Sequence, residues 1–293
     1  MALISGSQEK YVIGKTSIIL TEVPFGNRKI PVDIYYPSDS GEINSPVASQ
    51  PLKKFPVICF NHGYLISPDA YSNIREALVP EGFILVFPRT ERGLFPSHKT
   101  MSKDIGLVFS RMDDLAKDTN SIFFERVDTL KCVMGHSMGG GAAFAAASIF
   151  PAISCLVALA PYDTRPSAVK AAESVNIPVL IFTGTKDCVT PADKNQLPIY
   201  ESLASPDKTI IHIKGGTHCQ MAGISSICRF GESFKSCKAE IDMEEQHRII
   251  NRYLLPWIKF YMKGDVQAGL LFEKEIGSDS QIGFEQARPL TRE

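Results

Sequence analysis

Residues 130–147 read LKCVMGHSMGGGAAFAAA and carry the strongest structural signal in the chain. The apolar run Leu130 to Met134 predicts a buried strand, and the small residues from Gly139 to Ala147 predict a thin helix. Between them, residues 135–139 match the pattern G-x-S-x-G, in which a sharp strand-to-helix turn lifts a serine side chain above the edge of a sheet. Since strand, turn and helix follow in the required order, we predict that Ser137 is a nucleophile.

Similar apolar runs alternate with helical patterns along the chain. Predicted strands cover residues 57–61, 83–87, 129–135, 153–159, 179–183 and 209–213, and predicted helices cover 69–78, 102–115, 138–149, 192–203 and 243–262. This alternation predicts a mostly parallel sheet with helices on both faces. Residues 11–20 and 30–36 alternate in the manner of antiparallel edge strands, and a terminal hairpin is predicted around 270–275 and 281–285. We therefore expect an α/β-hydrolase fold with a sheet of eight or nine strands, in one domain spanning residues 1–293.

An acid and a base are expected after Ser137, in that order, on loops that follow late strands. Asp187 follows the run at 179–183, at the end of a parallel strand where such sheets place their ligands. Its alternative role is to cap the helix that begins near Pro191. His218 follows the run at 209–213, about 80 residues after the serine. We predict Ser137, Asp187 and His218 as the nucleophile, acid and base of an acyl transfer.

Two backbone N–H groups are needed to stabilise the oxyanion of such a reaction. One is expected from Met138, the residue after the nucleophile, and one from the loop after an earlier strand. Tyr64 fits the second position because Asn61-His-Gly-Tyr64 follows the strand at 57–61, although Tyr64 could also be an ordinary loop aromatic.

Composition limits the partners of the protein. The 293 residues carry a formal charge of −1, so no basic field is present to attract nucleic acid. No run approaches the roughly 18 apolar residues of a membrane-spanning helix. We expect no cofactor, and no metal because the cysteines lack C-x-x-C spacing. A monomer acting on a small or polymeric ester is expected.

Six short motifs are spread along the chain between about Val57 and Gly264. They are Gly63-Tyr64, GHSMGGG at 135–141, PYDT at 161–164, LIF at 180–182 followed by Asp187, LPIYES at 197–202 and GGTH at 215–218. Together they resemble the cutinase-like polyester hydrolases, including PET hydrolases, in the dienelactone-hydrolase-related branch of the α/β hydrolases. The resemblance implies a serine carboxylester hydrolase that works through an acyl-enzyme intermediate, with Tyr64 and Tyr162 against the substrate. Position 162 carries Tyr where the family usually carries Trp. A lipase, acyltransferase or peptidase with the same triad, or a noncatalytic binding module, is the alternative.

The seven cysteines divide into two groups. Cys59, Cys132 and Cys155 lie in apolar runs and are expected to be free core residues. Family members often join the acid loop to the histidine loop by a disulfide, which implies Cys188 with Cys219 and leaves Cys228 with Cys237. Pairing of Cys219 with Cys228 or Cys237 stays open. Disulfides would favour a secreted or periplasmic mature form over the cytoplasmic alternative.

The segment 219–246 is longer than the corresponding family loop. It is expected to be an inserted loop or a lid, because loops of this length in compact domains are usually functional or disordered. The alternative is that it covers the core. Its apolar residues are Met221, Ile224, Ile227 and Phe230.

Overall fold

The computed structural model describes residues 10–22, 28–49, 54–234 and 237–290. Nine strands in these residues form one sheet with the order β1-β2-β4-β3-β5-β6-β7-β8-β9. The strands are β1 Val12–Thr21, β2 Lys29–Ser38, β3 Phe55–Asn61, β4 Ile84–Pro88, β5 Val127–His136, β6 Cys155–Leu159, β7 Val179–Gly184, β8 Lys208–Ile213 and β9 Ile282–Gln286. Strands β3 to β8 run parallel, and β1, β2 and β9 add antiparallel pairs at the two edges.

Helices cover both faces of this sheet. They are α1 Ser72–Leu78, α2 His98–Leu115, α3 Met138–Ala147, α4 Ala168–Ala172, α5 Gln196–Ser202, α6 Ser226–Phe234, α7 Met243–Lys263 and α8 Val266–Ile276. Helices α1, α7 and α8 bury side chains such as Trp257 and Phe272 on one face. Helices α2, α3 and α5 bury Ile105, Phe144 and Ile199 on the other. The expected α/β-hydrolase architecture is therefore confirmed.

The predicted terminal hairpin is wrong in its first half. Residues 270–275 lie in α8, whose start is capped by the Asp265 side chain accepting from the Ala268 amide at 3.0 Å. Ala268, Phe272 and Ile276 are buried at four-residue spacing, which is the period of one helix face. The apolar run Leu270 to Phe272 resembles a strand, which is why the helical period was not recognised in the sequence. The second half of the hairpin does form a strand, β9, which pairs with β8.

The register of the parallel strands determines which loops meet. Asn61 at the end of β3 lies opposite Gly135 near the end of β5, and Gly184 at the end of β7 lies opposite Ile213 at the end of β8. Because these strands are parallel, the loops that follow them lie at the same edge of the sheet. Within the described ranges, no helix has the length and apolar character needed to cross a membrane.

Candidate active site

The turn between β5 and α3 holds Ser137 in a strained backbone conformation. Its φ is +56° and its ψ is −121°, a combination that costs a non-glycine residue about 1–3 kcal/mol. The Ser137 amide donates to the Leu159 carbonyl at 2.9 Å, and the Ser137 carbonyl accepts from the Tyr162 amide at 3.0 Å. A Cβ atom at Gly139 would lie 2.2 Å from the Asn61 carbonyl oxygen, so only glycine lets this turn pack against the end of β3. The geometry is that of the predicted nucleophile elbow.

The predicted acid and base are hydrogen-bonded to each other. His218 Nδ1 donates to Asp187 Oδ2 at 2.8 Å, and both side chains are almost completely buried. The other carboxylate oxygen, Oδ1, accepts from the amides of Val189 at 2.9 Å and Thr190 at 2.8 Å. Asp187 therefore organises its own loop; its alternative role as the cap of the helix near Pro191 is not observed, because that short helix has no side-chain cap bond.

His218 also lies beside the elbow. The centre of its ring is 4.7 Å from that of His136, the residue before Ser137. Ser137, Asp187 and His218 thus gather at the edge of the sheet formed by the ends of β5, β7 and β8. The structure bonds the predicted acid to the predicted base and places both at the sheet edge that carries Ser137.

The two predicted oxyanion donors belong to the elbow and to the loop after β3, two segments that pack against each other. Met138 is the first residue of α3. A backbone N–H at this position has no partner within its own helix and lies at the positive end of the helix dipole. Tyr64 lies in the loop after β3, directly after Gly63. The Gly63 amide is already bonded, to the Tyr71 hydroxyl at 2.8 Å, which leaves Tyr64 as the next donor along this loop.

Aromatic side chains surround the mouth of the site. Tyr64 and Tyr162 are each nearly half exposed, and the Tyr64 hydroxyl donates to the Leu94 carbonyl at 2.9 Å. Phe95, next to Leu94, is 97% exposed. The rings of His98 and Tyr162 meet edge to face, with their centres 6.5 Å apart. Burial lowers the pKa of His98, and the negative charge of Glu91 partly offsets this effect. Leu94 in the loop between β4 and α2 and His98 at the start of α2 therefore contact the two tyrosines, a role that the sequence did not reveal.

A cavity of about 760 Å³ opens beside the acid loop. Tyr162 lies at the side near Ser137, and Val189 at the side near Asp187. Two cationic side chains, Arg165 and Lys194, and one carboxylate, Asp163, line it as well. No residue of the candidate triad is among its lining residues, so the cavity lies beside the triad and not over it.

Two residues behind the triad carry no signal in the sequence and were not predicted. Thr190 Oγ1 donates to Asp187 Oδ2 at 3.0 Å and lies 2.9 Å from His218 Nδ1. The fully buried Gln196 donates from Nε2 to Thr190 Oγ1 at 3.2 Å and to the Pro161 carbonyl at 2.7 Å. Together they join the acid loop to the loop that carries Tyr162. No motif marks these contacts, since they depend on the packing of α5 against the sheet.

The disulfide pairing that the resemblance implies is wrong, and one of the pairings left open, Cys219 with Cys228, is observed. The bonds are Cys188 with Cys237 and Cys219 with Cys228, with Cα atoms 5.8 and 5.7 Å apart, and not Cys188 with Cys219 or Cys228 with Cys237. After His218 the chain enters a short 3₁₀ helix, and the Cys219 amide donates to Glu232 of α6 at 2.8 Å. Helix α6 thus brings Cys228 to Cys219, and the chain beyond α6 returns Cys237 to Cys188. The three remaining cysteines, Cys59, Cys132 and Cys155, are free and buried, as predicted.

The segment 219–246 divides into a buried and an exposed part. Met221 is completely buried in the core, whereas Ile224 and Phe230 are 69% and 74% exposed. The side chain of Ile227 lies outside the described part of the structure. Helix α6 lies between the two disulfide-bonded cysteines Cys219 and Cys237, so the insert is anchored beside both the acid and the base.

Comparison with known proteins shows distant similarity to bacterial cutinases. The chain is 24% identical to cutinase 2 of Thermobifida cellulosilytica over 237 residues, which cover 80% of this chain and 74% of that protein. It is 25% identical to cutinase est1 of Thermobifida alba over 188 residues, 63% of this chain and 56% of that cutinase. The match therefore spans little more than half of the length of cutinase est1.

A shorter stretch of 87 residues is 31% identical to the bis(hydroxyethyl) terephthalate hydrolase of Streptomyces coelicolor, covering 29% of this chain and 27% of that protein. The sequence model of the PET hydrolase-like family matches residues 14–269, from β1 into α8. Since this match includes the elbow, the acid loop and the histidine loop, the chain belongs to the PET hydrolase-like family.

Proposed function

We propose that this protein is a serine carboxylester hydrolase with Ser137 as nucleophile, His218 as general base and Asp187 as the acid that orients it. The observation that carries the proposal is the buried 2.8 Å bond between His218 Nδ1 and Asp187 Oδ2, beside a serine held at positive φ. This bond places the proton of a neutral imidazole on Nδ1, which leaves the Nε2 lone pair to accept the serine proton.

The reaction proceeds through an acyl-enzyme. Ser137 Oγ attacks the ester carbonyl carbon while its proton passes to His218 Nε2, and the amides of Met138 and Tyr64 stabilise the resulting oxyanion. The intermediate collapses with loss of the alcohol, which takes the proton from His218. Water then attacks the acyl-enzyme with the same base, releasing the acid and restoring Ser137.

The surroundings of the triad support an ester with an apolar or aromatic part. Tyr64 and Tyr162 are each nearly half exposed, and the cavity of about 760 Å³ extends from Tyr162 along the acid loop. A cutinase-like or PET-like polyester is the substrate class that agrees with the named relatives. Tyr162, where the family usually has Trp, offers a smaller ring surface, so we expect aliphatic esters to be cleaved better than aromatic polyesters.

The deciding experiment measures release of p-nitrophenol from acetate, butyrate, octanoate and palmitate esters at pH 8. Ser137→Ala should lower kcat by at least about 10⁴-fold, as expected for a triad nucleophile. Ser148→Ala is the matched control, because Ser148 lies just after α3 and its hydroxyl only donates to the Ala145 carbonyl at 2.9 Å. Equal rates in wild type and Ser137→Ala would refute the proposal and favour a binding module with a hydrolase fold.

A further inference from the structure

Behind the elbow lies a buried hydrogen-bonded chain that the triad does not use. Tyr71 and His136 are completely buried. The Tyr71 hydroxyl accepts from the Gly63 amide at 2.8 Å and lies 3.0 Å from His136 Nδ1. Since the hydroxyl oxygen already accepts one proton, its own proton is available for Nδ1 of His136.

The protonation state of His136 agrees with this direction. Burial lowers the pKa of His136 well below its ordinary value, and the neighbouring His218 lowers it further. The ring is therefore neutral, so one nitrogen can accept the hydroxyl proton. The Tyr71 hydroxyl is the side-chain partner of the ring, which also faces the backbone of His218.

This one hydroxyl contacts the two chain segments that carry the proposed oxyanion donors. Gly63 directly precedes Tyr64, and His136 is two residues before Met138. Tyr71 itself lies just before α1 and packs its ring against Phe60 of β3, with ring centres 4.4 Å apart. It is therefore held by the core and not by the loops that it joins.

The fit between the loop and the His136 ring is close. A Cβ atom at position 63 would lie 3.0 Å from His136 Nδ1 and 3.1 Å from Ile66 Cδ1. The loop backbone is thus in direct contact with the imidazole ring, and the Gly63 amide donates to the Tyr71 hydroxyl. Any shift of the ring or loss of the hydroxyl would change where the next amide, that of Tyr64, points.

We propose that Tyr71 is a positioning residue that, through Gly63 and His136, fixes the spacing of the Tyr64 and Met138 amides. The inference rests on the proposed esterase function for its catalytic consequence. A misplaced oxyanion donor weakens binding of the transition state and leaves binding of the substrate nearly unchanged. Loss of the Tyr71 hydroxyl should therefore lower kcat with little effect on KM.

Tyr71→Phe removes the hydroxyl and keeps the buried ring. We expect kcat for p-nitrophenyl butyrate to fall about 10- to 100-fold with KM within twofold of wild type. Tyr253→Phe is the matched control, because it removes a tyrosine hydroxyl that donates to Asp279 at 2.7 Å from an equally buried residue outside the site. Its kcat should stay within twofold of wild type.

Amide hydrogen exchange of residues 61–66 supplies a readout that needs no activity. Exchange in this loop should become faster in Tyr71→Phe and remain at the wild-type rate in Tyr253→Phe. Equal kcat in the two variants, or unchanged exchange in Tyr71→Phe, would overturn the inference. Faster loop exchange in a protein that hydrolyses no ester would overturn the proposed function and still support the role of Tyr71 in placing the loop.

Discussion

Replacing the cysteines in pairs by serine tests how the insert is attached to the triad loops. The bond between Cys188 and Cys237 spans 49 residues, and that between Cys219 and Cys228 spans 9. Loop-closure entropy then gives about 4.1 kcal/mol of stabilisation for the first bond and about 2.6 kcal/mol for the second. Cys188→Ser with Cys237→Ser should therefore lower the free energy of unfolding by about 1.5 kcal/mol more than Cys219→Ser with Cys228→Ser.

The alternative pairing makes a different prediction for the same variants. If Cys188 were bonded to Cys219 and Cys228 to Cys237, each of these double variants would break both disulfides, and the two would be equally destabilised. The variant Cys188→Ser with Cys219→Ser distinguishes the pairings in the opposite way. With the observed pairing it breaks both bonds and lowers the free energy of unfolding by about 6.7 kcal/mol, whereas with the alternative pairing it breaks only one bond.

Urea unfolding without reductant measures these differences, with the wild type and the three double variants compared under the same conditions. Peptide mapping of the unreduced wild type provides the direct check. A linked peptide pair that contains Cys188 and Cys237 is the expected product. A pair that joins Cys188 to Cys219, together with equal stability of the first two variants, would refute this attachment of the insert to the acid and histidine loops.

Three further outcomes follow from the contacts of the site. Thr190→Val removes the hydrogen bonds of the hydroxyl to Asp187 and Gln196. We therefore expect kcat to fall about tenfold and the free energy of unfolding to fall by about 1–3 kcal/mol. An unchanged kcat in the ester assay would contradict this. Arg165 and Lys194 outnumber the single carboxylate of Asp163 in the cavity, so Arg165→Gln combined with Lys194→Gln should lower kcat/KM for a p-nitrophenyl ester with a free carboxylate about two- to fivefold relative to the neutral butyrate ester. The difference should shrink in high salt, and an equal effect on both esters would contradict a role of these two cations in binding. The pKa of buried His136 is lowered, so unfolding takes up a proton below about pH 6.5. The free energy of unfolding should therefore fall by up to about 1.4 kcal/mol per pH unit as the pH drops towards 5. Urea titrations at pH 7, 6 and 5 without this decline would argue against a neutral His136.

The sheet could be predicted from the sequence because its strands are short apolar runs separated by turn residues. The same rule failed in the terminal segment, where Leu270 to Phe272 resembles a strand but belongs to α8. The helical period of Ala268, Phe272 and Ile276 was present in the sequence, yet a short apolar run does not by itself distinguish strand from helix. Helix α6 was not predicted either, because its segment was interpreted only as an insert.

Residues at the ends of strands were predicted, and residues that support them were not. Ser137, Asp187 and His218 each follow a recognisable strand, so parallel topology alone places them at one edge. Tyr71 and Thr190 act through contacts with residues 65 and 28 positions away, and no local pattern encodes such contacts. The cysteine pairing failed for the same reason, since it depends on the direction that the chain takes after His218.

The disulfide between Cys188 and Cys237 also determines what happens when the exposed insert is cut. Arg229 is exposed in α6, where trypsin can reach it once the helix opens. A chain cleaved after Arg229 would remain one covalent molecule, because Cys188 in the first fragment is bonded to Cys237 in the second. The nicked protein would therefore run as a single band without reductant and as two bands with it, and the acid and histidine loops would stay in the same molecule as the C-terminal helices.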